Sequence, residues 1–191
     1  MDADGLIFAC ATTAEERVAK RAGFLAARVG VNVANGVPEG RLVSFGLAGA
    51  LRDGLGVGAV LDATRVVDEH GATLWEGGPL GVRGAHDATV LGSDVLVHDS
   101  VERRRLHASS GADAVDMESG VLARSGRLAG VVRVISDDVS SAIEGVDTTV
   151  HPDGRTDPLG LLRWLGAKRA DGVRSVFGAI VALKALERAV A

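Results

Sequence analysis

Three carboxylates in this sequence have the types and positions needed to cleave a glycosidic bond. Each comes directly after a short run of apolar residues: Glu15, Glu118 and Asp137. Cleavage through an oxocarbenium-like state needs an acid for the leaving group and a base for the incoming water. A further carboxylate can bind sugar hydroxyls and stabilise positive charge on the ring. We therefore interpret the three acids as candidates for one site.

Each acid also has a simpler explanation, because Asp and Glu are favoured at helix N-termini. For any one of them taken alone, capping is the more common role. Asp116 alternates in direction from Met117, so we interpret it as a capping residue that faces away. The argument for a site is the shared placement, since ligands of α/β sheets bind beyond the carboxyl ends of the strands.

The elements that must position these acids alternate between strands and helices. Apolar segments predict strands at 5–11, 42–45, 59–67, 72–75, 88–91, 95–97, 114–117 and 131–135. Capping residues and helical spacing predict helices after Thr12 and at 100–109, 119–128 and 158–191, the last broken near Asp171. This alternation is typical of a three-layer αβα sandwich with a central mixed, twisted sheet. We expect a single domain over residues 1–191, with a surface loop at 143–157.

A glycine segment follows the second predicted strand, at residues 46–50. It is explained equally well by a tight turn with close packing and by a backbone that approaches a ligand. Another segment, 54–58, lacks the GxGxxG spacing and precedes a strand, which argues against a dinucleotide site. The five histidines are scattered without an i, i+4 pair for a metal, and no GxSxG motif occurs. We therefore predict no metal and no cofactor.

Composition excludes several classes of protein. Hydrophobic residues make up 47%, too many for a disordered chain. The 21 basic and 25 acidic residues give a net charge of −4 without the basic patch of a nucleic-acid surface. No apolar run approaches the ~20 residues of a membrane span. Cys10, the single cysteine, reads as a small buried hydrophobe and fits a reducing compartment. We expect a cytoplasmic protein.

Segments 44–51, 115–119 and 133–137 come in the order and spacing of the nucleoside phosphorylase superfamily. The branch that they resemble contains the methylthioadenosine/S-adenosylhomocysteine nucleosidases and the hopanoid-associated phosphorylases. Segments 11–15 and 151–155 are most similar to the latter. The resemblance covers most of the chain, and its Met-Glu and Ser-Asp motifs are specific together and weak apart. It implies the nucleoside phosphorylase fold.

The resemblance also implies roles. Glu118 would bind the ribose hydroxyls, and Met117 would pack on the sugar. Asp137 would protonate purine N7, or share a proton with it, so that the base leaves neutral, and Glu15 would orient the nucleophile. The remaining substrate contacts fall on Ser136, Leu96, Val97 and Gly49.

Several positions depart from the family pattern. Leu96 stands where an aromatic ring usually stacks on the purine, which implies a different base preference. Leu47 replaces the small hydroxyl residue common in the glycine segment, and no arginine lies within that segment to hold phosphate. The phosphate candidates are then Arg17 and the backbone amides near Gly46 and Gly49. These departures favour water as the acceptor.

The resemblance therefore implies an enzyme that releases the base of a purine, adenosine-type nucleoside by hydrolysis or by phosphorolysis. The alternative is a non-catalytic nucleoside-binding protein on the same fold, and the presence of all three acids argues against it. The implied partners are a small-molecule nucleoside, phosphate in the phosphorolytic case, and further copies of the chain in a homo-oligomer.

Overall fold

The computed structural model describes residues 5–140, 151–155 and 169–191. Eight strands are found there: β1 Leu6–Cys10, β2 Leu25–Arg28, β3 Arg41–Ala50, β4 Val60–Val67, β5 Thr73–Glu76, β6 His86–Gly92, β7 Ala114–Asp116 and β8 Leu128–Asp137. The helices are α1 Thr13–Arg21, α2 Ser100–Ser110, α3 Ser119–Arg124 and α4 Arg169–Val190, with a 3₁₀ turn at Val31–Val33. Within the described ranges, none of these helices is both long and apolar enough to cross a bilayer.

The strands form one mixed sheet whose pairings close into a ring. β3 pairs with β8, β8 with β4, β4 with β6, β6 with β7, and β7 returns to β3. β1 and β2 extend the sheet in parallel from β3, and β5 lies antiparallel beside β4. The predicted α/β fold with a mixed central sheet is confirmed. The closure of the sheet into a ring was not predicted, because which strands pair with each other depends on contacts between distant parts of the chain.

The third strand, β3, runs through the middle of the core. Leu42, Ala48 and Ala50 pack into one buried cluster, whereas Val43 and Phe45 pack into a second. Alternate residues of β3 therefore face different apolar layers, as in strands that are covered on both faces. Helices α1 and α4 contribute to the second layer. Polar groups brought to β3 are accordingly removed from water.

Three predictions of secondary structure before residue 130 are wrong. The glycine segment 46–50 is not a turn, because β3 continues through it as a paired strand. Segment 95–97 is not a strand; its Val97 carbonyl accepts hydrogen bonds from a side chain. The third helix ends at Arg124 instead of 128, since Gly126 adopts a φ of 71° and ends the helix before β8 begins.

The predicted C-terminal helix is present as α4, and no break occurs at Asp171, because the helix continues through it. Its predicted first part, 158–168, lies outside the described residues. Of the predicted loop at 143–157, residues 151–155 are described and have no regular secondary structure. The rest of that loop lies outside the described residues.

Candidate active site

Glu15 is fixed at the start of α1 by a capping box. The backbone N–H of Thr12 donates to Glu15 Oε2 at 2.7 Å, and Thr12 Oγ1 accepts the Glu15 N–H at 3.3 Å. This Thr-x-x-Glu pattern explains why the helix begins here. The other carboxylate oxygen, Oε1, accepts the backbone N–H of Leu47 in β3 at 2.9 Å. Glu15 is thus a capping residue that also reaches the central strand, and it is only 3% exposed.

Gly46 leaves the space that this contact needs. A Cβ at position 46 would overlap Glu15 Oε1 and would lie 2.8 Å from Arg133 Nη1. Of the two explanations for the glycine segment, a tight turn is therefore wrong. The missing side chain admits polar groups against the strand backbone.

Arg133 is a buried cation of β8 and is 1% exposed. It is the first residue of the motif 133–137, but the sequence analysis predicts no role for it. Its Nε lies 2.6 Å from Asp116 Oδ2, and its Nη2 lies 3.5 Å from Glu118 Oε2. Nη2 also donates to Ser44 Oγ at 2.6 Å. The sequence does carry a signal for this role, an arginine inside the apolar run 131–135. A charge in a buried strand requires partners, so this arginine indicates buried acids nearby.

Asp116 was predicted to face away as a simple cap, and this is half wrong. Its Oδ1 does accept the N–H groups of Glu118 and Ser119, at 3.0 and 2.7 Å. Its Oδ2, however, faces Arg133. The alternation argument failed because β7 ends at Asp116 and the chain turns into α3 there, so the strand rule no longer applies.

Glu118 is positioned by an unusual stretch of backbone. Its Oε1 accepts the N–H of Asn32 at 3.1 Å. Asn32 and Val33 have φ values of 51° and 57°, in the left-handed region that β-branched residues such as valine rarely enter. Strain of this kind persists where the surrounding structure imposes it, often at functional sites. Here it aims a backbone donor at the predicted ribose-binding carboxylate.

These residues form a group with excess negative charge. We call Glu15, Asp116, Glu118 and Arg133 the Arg133 group; it brings three carboxyls to one guanidinium. Burial raises the pKa of Glu118 to about 8, and Asp116 and Glu15 add to the rise while Arg133 opposes it. Burial thus favours the protonated form of Glu118 over the ionised form in the free protein.

Asp137 belongs to a second buried group. It is the last residue of β8, and its Oδ2 lies 2.5 Å from Arg103 Nη1. Its Oδ1 accepts the Ser136 hydroxyl at 2.7 Å. Arg103, 3% exposed, also donates from Nε and Nη2 to the Val97 carbonyl at 2.9 and 2.8 Å. A Cβ at Gly49 would lie 3.0 Å from both Asp137 Oδ2 and Arg103 Nη2.

The structure thus arranges most of the predicted site residues around β3. We call Asp137, Arg103, Ser136 and Val97 the Arg103 group; it adjoins Gly49 as the Arg133 group adjoins Gly46. The two glycines are three residues apart, or about 10 Å along an extended strand. Met117 and Leu96, also predicted to bind substrate, are half-buried, and Arg17 is exposed on α1.

A cavity of about 550 Å³ lies beside Leu96 and Val97. Its polar lining is mainly acidic: Asp68, Glu69, Asp94, Asp99 and Glu102. The predicted catalytic carboxylates do not line it. We place the site by the two buried groups, since they hold the side chains with suitable chemistry.

Other chemistries find little support in the described part of the chain. No group of three or more His, Cys, Asp or Glu side chains there is arranged to hold a metal ion. Cys10 is fully buried in β1, as predicted, and burial raises the pKa of its thiol far above the usual range. A thiol in that state is a poor nucleophile.

Solved structures with the same fold include nucleosidases and a futalosine hydrolase. The 5′-methylthioadenosine/S-adenosylhomocysteine nucleosidase of Helicobacter pylori, bound to butyl-thio-DADMe-Immucillin-A, matches with a TM-score of 0.60 and 15% identity, covering 97% of both chains. The S-adenosylhomocysteine nucleosidase of Streptococcus pyogenes gives 0.58 and 15%, covering 98% of both. Futalosine hydrolase of H. pylori gives 0.56 and 14%, covering 92% of this chain and 96% of its own. No protein-family model and no curated protein matches the sequence.

The raised pKa of Glu118 predicts a pH-dependent loss of stability. Between its ordinary value of 4.5 and about 8, the folded protein retains a proton that the unfolded chain has lost, so stability falls as pH rises through this window. We expect the melting temperature of Glu118→Gln, minus that of the wild type, to increase from pH 5 to pH 9. Glu69→Gln, at an exposed acid, is the control. A difference that stays constant with pH would contradict the protonated carboxyl.

Proposed function

We propose that this chain belongs to the nucleoside phosphorylase superfamily and hydrolyses the N-glycosidic bond of a purine nucleoside, releasing the base and the free sugar. The observation that carries the proposal is the gathering of Glu15 and Glu118 around one buried arginine, with Asp137 beside the same strand. Hydrolysis of this bond needs a base for water and an acid for the leaving group. The two groups supply both.

The Arg133 group suits the sugar. Glu118 can accept hydrogen bonds from two ribose hydroxyls, and Met117 can cover the ring. Burial raises the pKa of Glu118 in the free protein, and positive charge that develops on the ring favours its ionised form. The contact between carboxylate and sugar therefore strengthens towards the transition state, which is what catalysis requires.

Glu15 is the candidate base for the attacking water. Its Oε1 is held by the Leu47 amide, and its Oε2 by Thr12, so the carboxylate has a fixed orientation. A fixed carboxylate beside the sugar can take a proton from water as the new C–O bond forms.

Charge favours water over phosphate. The amide near Gly46, one of the predicted phosphate donors, is that of Leu47 and already donates to Glu15. Arg133 already faces acidic partners, and the three carboxyls around it would repel a dianion. The other candidate, Arg17, is exposed. The structural neighbours named above are also hydrolases by name.

Asp137 is the candidate acid on the base side. A purine that leaves as an anion is a poor leaving group, and a proton on N7 lets it leave neutral. Two of the neighbours are named as a 5′-methylthioadenosine/S-adenosylhomocysteine nucleosidase and an S-adenosylhomocysteine nucleosidase. Both names agree with an adenosine-type substrate. We propose the same substrate class here.

The acceptor is tested by incubating the protein with adenosine-type nucleosides, with and without phosphate, and identifying the sugar product. We expect the base and the free sugar at the same rate in both cases. Strict dependence on phosphate with a sugar 1-phosphate product would contradict hydrolysis. Tight binding without any product would indicate a nucleoside-binding protein instead.

Asp137→Asn should lose most turnover, because general acid catalysis typically contributes about 10²–10⁴-fold. Affinity for a substrate analogue that is not cleaved should change little, since asparagine keeps the size of the side chain. The matched control is Asp138→Asn at the neighbouring acid. Near-normal turnover of Asp137→Asn would contradict the role of Asp137 as general acid and leave it a structural role only.

Glu118→Gln should harm ribonucleosides more than 2′-deoxynucleosides. A hydrogen bond to a charged acceptor is worth roughly 1.5–3 kcal/mol, and the deoxy sugar can make one fewer. The measurement is kcat/KM for both sugars in both proteins. If the two sugars lose activity equally, Glu118 does not bind the ribose hydroxyls.

A further inference from the structure

We propose that Arg103 is a positioning residue that acts through Asp137: it holds this carboxyl against the Val97 segment and stabilises the carboxylate left when the proton moves to the base. The inference rests on the proposed function and adds a residue to it. Neither the sequence motifs nor the resemblance assigned Arg103 a role.

The contacts of Arg103 tie together three parts of the chain. From the first turn of α2, its Nε and Nη2 donate to the Val97 carbonyl, at 2.9 and 2.8 Å. Its Nη1 lies 2.5 Å from Asp137 Oδ2 and donates to the Asp138 carbonyl at 3.2 Å. One guanidinium therefore links the predicted base-binding segment to the predicted general acid.

The two neighbouring arginines show what ordinary surface residues do on this helix. Arg104 lies 3.5 Å from Asp53, and Arg105 lies 2.6 Å from Glu102, all with largely exposed side chains. Such exposed pairs contribute little to stability. Arg103, which precedes them in the sequence, is turned inward and is 3% exposed.

Packing alone does not explain a buried ion pair at this position. Removing two charges from water is costly, and well-packed apolar residues of similar volume are often as stable or more so. The chain also gives up a side chain at Gly49, where a Cβ would lie 3.0 Å from both partners. Desolvation of the pair and the missing side chain at position 49 both cost stability. We therefore infer that the pair serves the catalytic role proposed for Asp137.

The pair has a direct use in the proposed reaction. When the purine binds, a proton from solvent is taken up between the paired Asp137 carboxylate and N7. As the C1′–N9 bond breaks, its electron pair passes to the purine, and this proton moves fully to N7. Asp137 is then a carboxylate, and the adjacent guanidinium stabilises it; water adds to C1′ and gives its proton to Glu15. Among the described residues, the charged side chain that the structure pairs with Asp137 is that of Arg103 from α2. Stabilising the conjugate base favours the proton transfer.

The test compares two leaving groups. A purine needs a proton to leave, whereas 4-nitrophenolate leaves as a stable anion. We expect Arg103→Met to lower kcat/KM for the purine nucleoside by roughly 10- to 100-fold, the value of a charged hydrogen bond, and to leave 4-nitrophenyl riboside cleavage nearly unchanged. Arg104→Met is the matched control on the same helix, and Arg103→Lys, which keeps the charge, should retain more activity than Arg103→Met.

A double variant shows whether Arg103 acts through Asp137. In the Asp137→Asn background, Arg103→Met should cause no further loss on the purine nucleoside. A further loss there, or equal losses on both leaving groups in the single variant, would overturn the inference. The proposed function is tested separately, by measuring whether the wild-type protein cleaves either substrate. If it cleaves neither, both the proposed function and this inference are wrong.

Discussion

The buried guanidinium of Arg133 is the interaction on which the rest of the site depends. Three carboxyls cannot share a dry pocket without a cation, and Arg133 supplies it from inside an apolar strand. The group has more carboxyls than cations, and burial together with the neighbouring carboxyls raises the pKa of Glu118. A group with stored negative potential of this kind is suited to a substrate that becomes positive as it reacts.

The same constraint explains the glycines of β3. Polar side chains from α1, β8 and α2 reach the central strand at Gly46 and Gly49, where a Cβ would crowd them. A glycine in a strand interior weakens the strand, and β3 accepts this at both positions. The glycines of the GxxG pattern thus make room for side chains that approach from other elements. Closely spaced glycines are also typical of turns, so the sequence alone did not separate the two explanations.

The capped start of α1 and the alternation of strands and helices were predicted from local signals, because both depend on neighbouring residues. The rule for strand ends pointed to Glu15, Glu118 and Asp137, and the structure places them in two groups beside β3, with Asp137 at Arg103. The roles of Arg133 and Arg103 could not be reached in that way, since each depends on partners far along the chain. The bond from the Thr13 amide to Gly154 and that from Val31 to Pro152 are of the same kind: they link the loops beside Glu15 and Glu118 through the distant segment 151–155.

The two groups differ in charge in the sense that the proposed reaction requires. The Arg133 group has more carboxyls than cations, as the proposed cationic sugar requires, whereas the Arg103 group pairs one carboxyl with one guanidinium. In the proposed reaction, this pairing stabilises the Asp137 carboxylate that remains after the proton has moved to the base. The two groups adjoin glycines three residues apart on one strand, so in the proposed reaction a single fold would provide a negative environment for the sugar and a paired carboxylate for the base.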